Sequence, residues 1–238
     1  MESLKAVGVW RKYGEQEVLK GLDLTLAAGA FEALMGPSGC GKSTFLHLAA
    51  GLLAADGGTI EIGGSDITKM GDTAATKFRR RHVGVVFQAF NLISTLTAEE
   101  NIMLPILAGY QDKDISSAKL QKGLDELLER LQLTNRRHHY PDALSGGEQQ
   151  RVAIARALLL DFATDTHGSL LLADEPTGNL DSANGDIICR LLRQLCDERH
   201  HTMVVVTHEP SVAAWTDRIV TLKDGTILSD IPNTKPGT

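Results

Sequence analysis

"FEALMGPSGCGKSTFLHLAA", residues 31–50, joins a short apolar run to a glycine-rich turn and then to a helical pattern. Phe31–Met35 reads as a buried strand, and the spacing predicts a helix from Ser43 to Leu53. The turn between them, "GPSGCGKST" (36–44), matches G-x-x-x-x-G-K-[ST] in the strand-then-helix setting this pattern requires. Glycines there let backbone N–H groups converge on phosphate oxygens, and the helix N-terminus adds partial positive charge. Gly36, Ser38, Gly39, Cys40, Gly41, Lys42, Ser43 and Thr44 are therefore candidate nucleotide-binding residues. Lys42 is placed to reach the β- and γ-phosphates, and the Ser43 hydroxyl to ligate Mg²⁺. A glycine turn that carries a lysine by chance is the competing reading, and it leaves the flanking strand and helix unexplained. Cys40 reads as a small space-filler in this loop rather than a redox centre.

On the amino-terminal side, "SLKAVGVW" and "GLDLTL" alternate polar and apolar positions and predict antiparallel strands, as does "GTIEI" (58–62). On the other side lie "VGVVF" (83–87), "SLLLAD" (169–174), "TMVVVT" (202–207) and "RIVTL" (218–222), the last few separated by helical patterns. A mostly parallel α/β sheet covered on both faces follows. From Phe90 to Leu160 the pattern turns mainly helical, with "LQKGLDELLERLQL" strongly amphipathic, which suggests a helical subdomain inserted into the sheet. The expected division is one domain over residues 1–230. Residues 1–89 and 161–230 would form the core with its antiparallel β subdomain, residues 90–160 the helical part, and 231–238 a disordered tail.

A phosphate loop needs a second metal carboxylate at the end of a neighbouring strand, and "LLLADEP" supplies Asp174 and Glu175. Asp174 is placed to hold Mg²⁺, and Glu175 to orient the attacking water or accept its proton. Two acids after a strand are often only a solvated turn, but the complete phosphate loop argues against that here. His208 follows "VVVT" at another strand end on the same edge of the sheet, where a γ-phosphate contact is expected. Composition agrees with an ordinary globular protein: 238 residues, 42% hydrophobic, 23% charged. The net charge of −6 argues against a nucleic-acid partner. No apolar run is long enough to span a bilayer and "MESLKAVGVW" is no signal peptide, so any membrane role comes through a partner chain. Three cysteines without C-x-x-C spacing point to a reducing cytoplasm and no structural zinc.

"LSGGEQQRVAIARAL" (144–158) raises a different question. Ser145 and Glu148 have capping-box spacing, and Val152, Ala155 and Leu159 follow as an apolar stripe. Yet Gly146 and Gly147 take the first helical positions, where each costs roughly 1 kcal/mol relative to Ala. Close backbone approach to an anion explains them, because side chains would keep a phosphate out. A helical arm pointing away from its own phosphate loop could do this for a second copy of the chain.

The ordered set of phosphate loop, Gln88, LSGGEQQ, "LLLADE", "GNLD" and His208 resembles the ABC transporter nucleotide-binding domains, from Leu4 to about Leu228. The resemblance implies a P-loop NTPase core and hydrolysis of ATP with Mg²⁺, Lys42, Glu175 and His208 being catalytic. It implies that Tyr13 stacks on adenine and that Gln88 senses Mg²⁺ and a membrane partner. Ser145, Gly146, Gly147 and Glu148 would close over the ATP of an opposite copy, with Asp181 communicating across the dimer. "FQAFNLISTLTAEENIMLP" and "LLADEPTGNLD" are similar to the subgroup that contains the MacB, LolD and FtsE ATPases and related exporters. Partners there are permeases with four transmembrane helices per chain, which would dock near residues 90–107 and hold the chain at the cytoplasmic face of the inner membrane. A departure is "LLDFATDTHGS", several residues longer than the family's usual turn; residues 161–169 are expected on the surface. The alternatives are the energising ATPase of a nutrient importer and a soluble ABC-type ATPase acting on nucleic acid. The first often carries a C-terminal regulatory domain, and the second a long coiled-coil or zinc insertion or a second cassette.

Overall fold

The computed structural model describes residues 2–107, 115–164 and 169–233. In chain order, β1 (Glu2–Tyr13), β2 (Gln16–Ala27) and β3 (Phe31–Met35) lead into α1 (Lys42–Ala49). β4 (Gly57–Ile62), β5 (Ser65–Asp66), α2 (Asp72–His82) and β6 (Val83–Val86) follow. Next come α3 (Ala98–Leu107), α4 (Ser117–Arg130) and α5 (Gly146–Thr164). The chain returns through β7 (Leu170–Asp174), α6 (Ser182–Arg199), β8 (Thr202–Val206), α7 (Pro210–Ala213), β9 (Arg218–Lys223) and β10 (Thr226–Pro232).

The strands sort into an antiparallel sheet of order β2-β1-β4-β5 and a mixed sheet of order β10-β9-β3-β8-β7-β6. Neighbours from β9 to β6 run parallel, and β10 closes the edge antiparallel to β9. The expected α/β architecture with an antiparallel N-terminal sheet is present. Continuous apolar runs in β7 and β8 reflect burial on both faces. Leu171, Ala173, Met203 and Val205 face one core together with Ile102, Leu127, Ile154 and Leu192 from the helices. Leu170, Leu172, Val204 and Val206 face a second core with Phe45 of α1 and Leu4, Leu24 and Ile60 of the antiparallel sheet. Leu34 and Asp174 both pair with Val206, so β3, β7 and β8 end level at one edge.

Local differences from the sequence pattern have physical causes. α1 ends at Ala49 rather than Leu53, because Gly51 turns the chain with φ 63°. α2 was not legible as an element: no residue of it is fully buried and only Phe78 packs against a core, so it carries no continuous apolar stripe. β10 extends through Ile231 and Pro232, the start of the expected loose tail, and Asn233 Nδ2 donates to the carbonyls of Ala213 and Thr216. Residues 234–238 lie outside the described residues.

The expected surface insertion needs a larger correction. Asp161–Thr164 form the last turn of α5, and Asp161, Phe162 and Ala163 are buried. Gly123 of α4 makes room for them, since a Cβ there would lie 2.8 Å from Ala163 N. The guanidinium of Arg199 covers the Phe162 ring at 3.8 Å. Residues 165–168 of that stretch lie outside the described residues.

Ser169 Oγ donates to Asp161 Oδ2, and His201 Nδ1 lies 3.6 Å from the same oxygen. Burial pushes the Asp161 carboxyl up to about 7, against the opposing hydrogen bond from Ser169 and the charge of Arg199. With the folded pKa above the unfolded one, folding takes up a proton between about pH 4 and 7, and stability falls as pH rises through that window. Asp161→Asn is expected to remove this slope. Urea titrations at pH 4.5 and 7.5 should show the variant gaining roughly 1–3 kcal/mol on wild type between the two. Parallel pH profiles for the two proteins would rule out the assignment.

Candidate nucleotide site

The phosphate loop starts where β3 ends and closes at the first turn of α1. Gly36 takes φ 143°, and a Cβ there would lie 2.2 Å from Leu222 O and 2.8 Å from Cys40 Sγ. Gly41, the residue before α1, takes φ 108°, and its Cβ would meet Leu19 Cδ2 at 2.7 Å and Val18 O at 2.9 Å. No L side chain fits either position. Cys40 is buried beneath the loop, as its space-filling reading expects. Lys42 Nζ donates to the carbonyls of Gly36 and Pro37, each at 2.9 Å, so the ammonium is drawn across the loop.

Opposite the loop, the level ends of β7 and β8 deliver the polar groups. Ser43 Oγ donates to Asp174 Oδ1 at 3.1 Å. Burial raises the Asp174 carboxyl above its ordinary range, and the Ser43 hydrogen bond opposes that rise. Two hard oxygens beside a phosphate loop suit Mg²⁺, which is held by one or two carboxylates and substrate phosphates rather than by an all-protein cage.

Glu175 has φ 45°, an uncommon value for a residue with a side chain. Its N–H donates to Val206 O and its carbonyl accepts from Gly178 N, which hold it in place. His208 Nδ1 lies 3.0 Å from Glu175 Oε1, so the imidazole N–H donates to the carboxylate and Nε2 is left for another partner. Together these residues line a cleft of about 360 Å³: Ser38, Gly39, Gly41, Lys42, Ser43, Thr44, Gln88, Asp174, Glu175 and His208, with Val18. Val18 was missed by the sequence reading, because an apolar strand residue carries no chemical signal.

Several sequence candidates lie elsewhere. Gly36 and Cys40 support the loop rather than line the cleft. Tyr13 stands exposed at the end of β1, with the Arg11 guanidinium 4.8 Å from its ring centroid. Ser145 and Glu148 form the expected capping box: Ser145 N and Oγ donate to Glu148 Oε2, and Glu148 N donates back to Ser145 Oγ. The hydrogen bond from Arg136, with those from Ser145, holds Glu148 down at about 2. Glu148 is thus a cap, its two oxygens already taken. Asp181 caps α6, accepting from Asn184 N at 2.9 Å. Ser145, Gly146, Gly147 and Asp181 do not reach this cleft in their own chain.

The phosphate loop and the paired acids at the carboxyl edge of a parallel sheet define a nucleotide hydrolase. Comparison with known proteins gives the particular class: residues 19–178 match the family model for the ABC transporter. The chain belongs to the ABC transporter family and is an ATPase of that type. It is 44% identical over 229 residues to the lipoprotein-releasing system ATP-binding protein LolD 1 of Rhodopseudomonas palustris, covering 94% of this chain and 97% of that protein. It is 43% identical over 217 residues to the macrolide export ATP-binding/permease protein MacB of Escherichia coli K12, covering 91% of this chain but 32% of the MacB chain. A solved dimeric bacterial ABC transporter cassette superposes with TM-score 0.85 at 40% identity, covering 97% of this chain and 99% of the other. The post-hydrolysis state of that cassette, bound to ADP and Pi, superposes with TM-score 0.84.

Proposed function

We propose that this ATPase is the energising subunit of a membrane export or mechanotransmission complex, working as a homodimer that encloses two ATP molecules with Mg²⁺. The observation that carries the reading is the Ser43–Asp174 pair facing the Lys42 loop, with Glu175 and His208 beside it. Lys42 and the loop amides hold the triphosphate, and Ser43, Asp174 and Gln88 place the cation. Bound Mg²⁺ supplies charge neutralisation on the phosphates. Glu175 orients the water and takes its proton, and His208 contacts the γ-phosphate. Ser145, Gly146 and Gly147 serve the ATP of the second copy, and residues 1–230 act as one ATPase unit with 90–160 as its helical arm.

Similarity to LolD, named for lipoprotein release, and to MacB, named for macrolide export, favours export over import. The name of MacB includes a permease, which supports a permease partner. In the proposed assembly that partner has four transmembrane helices per chain and holds this chain at the cytoplasmic face of the inner membrane. No helix among the described residues is long and apolar enough to cross a membrane, which suits a peripheral subunit.

The docking surface expected over 90–107 needs refinement. Ile102 is fully buried, and Asn101 holds its own loop by donating to Ile93, Leu96 and Thr97 carbonyls. Next to α3 lies a groove of about 240 Å³ floored by Leu52, Val85, Phe87, Pro105, Ala157 and Leu160. Arg79, Arg80 and Arg156 rim it, and burial lowers Arg79 and Arg156 from the ordinary arginine range. A short amphipathic helix with a carboxylate at one end fits that surface.

The test is co-purification of a tagged chain with its permease from detergent-solubilised membranes. Leu52→Glu, at a position 42% exposed, is expected to cut the recovered permease at least roughly tenfold, as one charge against an apolar contact can. ATP affinity of the isolated variant should match wild type. Undiminished recovery of the permease would refute the groove as the docking site.

A further inference from the structure

Gly147 is buried, and what presses on it belongs to its own chain. A Cβ at this position would lie 2.8 Å from Asn184 Oδ1 and 3.2 Å from Asn184 Cγ. Asn184 cannot swing away freely, because Asp181 grips it twice. The backbone N–H of Asn184 donates to Asp181 Oδ1 at 2.9 Å, and Nδ2 donates to Asp181 Oδ2 at 2.8 Å. Those bonds fix the amide plane and leave Oδ1 facing the first turn of α5. Gly146 rests on the same segment: its Cβ would lie 3.4 Å from Leu180 Cδ2 and 3.8 Å from Asn179 O.

The segment is also tied to the cleft. Asn179 Nδ2 donates to Gln88 O at 2.8 Å. Gly178 N donates to Glu175 O at 3.0 Å, and a Cβ on Gly178 would meet Gln88 Nε2 at 3.1 Å and Glu175 Oε2 at 3.3 Å. Residues 175–184 thus run from the hydrolytic carboxylate to the seat of the α5 N-terminus without leaving contact.

We propose that Asn184 is a positioning residue: held by Asp181, its amide seats the Gly146–Gly147 turn on the loop that carries Glu175, and this intrachain contact dictates glycine at 147. One unit then sets both the water-activating group of a chain and the turn that chain offers to a second copy. The dimer part of this inference rests on the proposed function above.

The test is a double-mutant cycle with Gly147→Ala and Asn184→Ala, built in the Glu175→Gln chain and in the wild-type chain. The Glu175→Gln series reads ATP-dependent dimerisation by analytical ultracentrifugation, and the wild-type series reads kcat and KM. Gly147→Ala alone is expected to weaken ATP-dependent dimerisation roughly tenfold or more, as overpacking against a fixed partner does. Asn184→Ala alone should lower kcat severalfold with KM for ATP nearly unchanged. Here kcat is normalised to titrated ATP-binding sites and measured well below the melting temperature of the variant, so that loss of folded protein does not contribute. Adding Asn184→Ala to Gly147→Ala should restore dimerisation to the level of Asn184→Ala alone. If Gly147 is instead demanded by a phosphate of the other copy, the double variant stays as defective as Gly147→Ala, and the proposal fails. A Gly147→Ala chain with native dimerisation would overturn it equally. Should Gly147→Ala fail to fold, the melting temperature of the double variant carries the same comparison, with recovery expected and no recovery refuting. Failure of the unmodified Glu175→Gln chain to dimerise on ATP would count against the proposed function alone, since the melting comparison needs no dimer.

Discussion

Glu175→Gln is expected to lower kcat roughly 100- to 10,000-fold, the range a positioned general base supplies, while ATP affinity is retained. The substitution keeps the shape of the side chain, and its amide oxygen still accepts from His208 Nδ1 where the carboxylate does at 3.0 Å. Only the capacity to take the proton of water is gone. The phosphate loop is untouched, because Lys42 and Ser43 make their contacts with Gly36, Pro37 and Asp174 rather than with Glu175. Bound ATP therefore persists, and a dimer that needs ATP accumulates. Single-turnover assays and gel filtration with and without ATP measure both halves. Turnover within a few-fold of wild type, with a monomer throughout, would show that Glu175 is not the base.

Complementation between two inactive chains is the second large effect. On the proposed function, Lys42→Ala removes the cation that would grip the triphosphate. Gly146→Asp places an anion on the turn that the proposed dimer would present to the second copy, where like charges would oppose a phosphate. Gly146 suits this better than Gly147, because its Cβ makes only an ordinary 3.4 Å contact with Leu180 within its own chain. Neither variant should form an ATP-dependent dimer alone. Mixed, the intact loop of the Gly146→Asp chain meets the intact turn of the Lys42→Ala chain, and one composite site is whole. Pull-down between differently tagged chains should detect the heterodimer in the mixture and in neither parent. Were the turn to serve the ATP of its own chain, mixing would restore nothing.

The phosphate loop and the Asp174–Glu175 pair were legible because their chemistry is local: a few adjacent residues must have fixed identities. β3, β7 and β8 were legible because burial on both faces writes itself as unbroken apolar runs. α2 was not, since a helix with no fully buried residue, and only Phe78 packed against a core, leaves little periodic trace. The turn at 161–164 was misplaced because unusual chain length is a poor guide to exposure, and only tertiary packing shows that Gly123 clears space for Ala163. Asn184 left no chemical signal of its own. Its importance arises from a neighbour thirty-seven positions earlier in the chain, and a single sequence does not display such pairs.

β10 bears on how the molecule behaves in concentrated solution. An outermost strand is a template for chain-to-chain polymerisation, and this one carries exposed Leu228 and Ile231. Its ladder slips between Ile227 and Ser229, Asp230 is tied to Arg218, and Pro232 has no N–H to give. An incoming strand meets a kink, a fixed charge pair and a missing donor within a few residues. This margin of the sheet is thereby a poor template for an incoming strand.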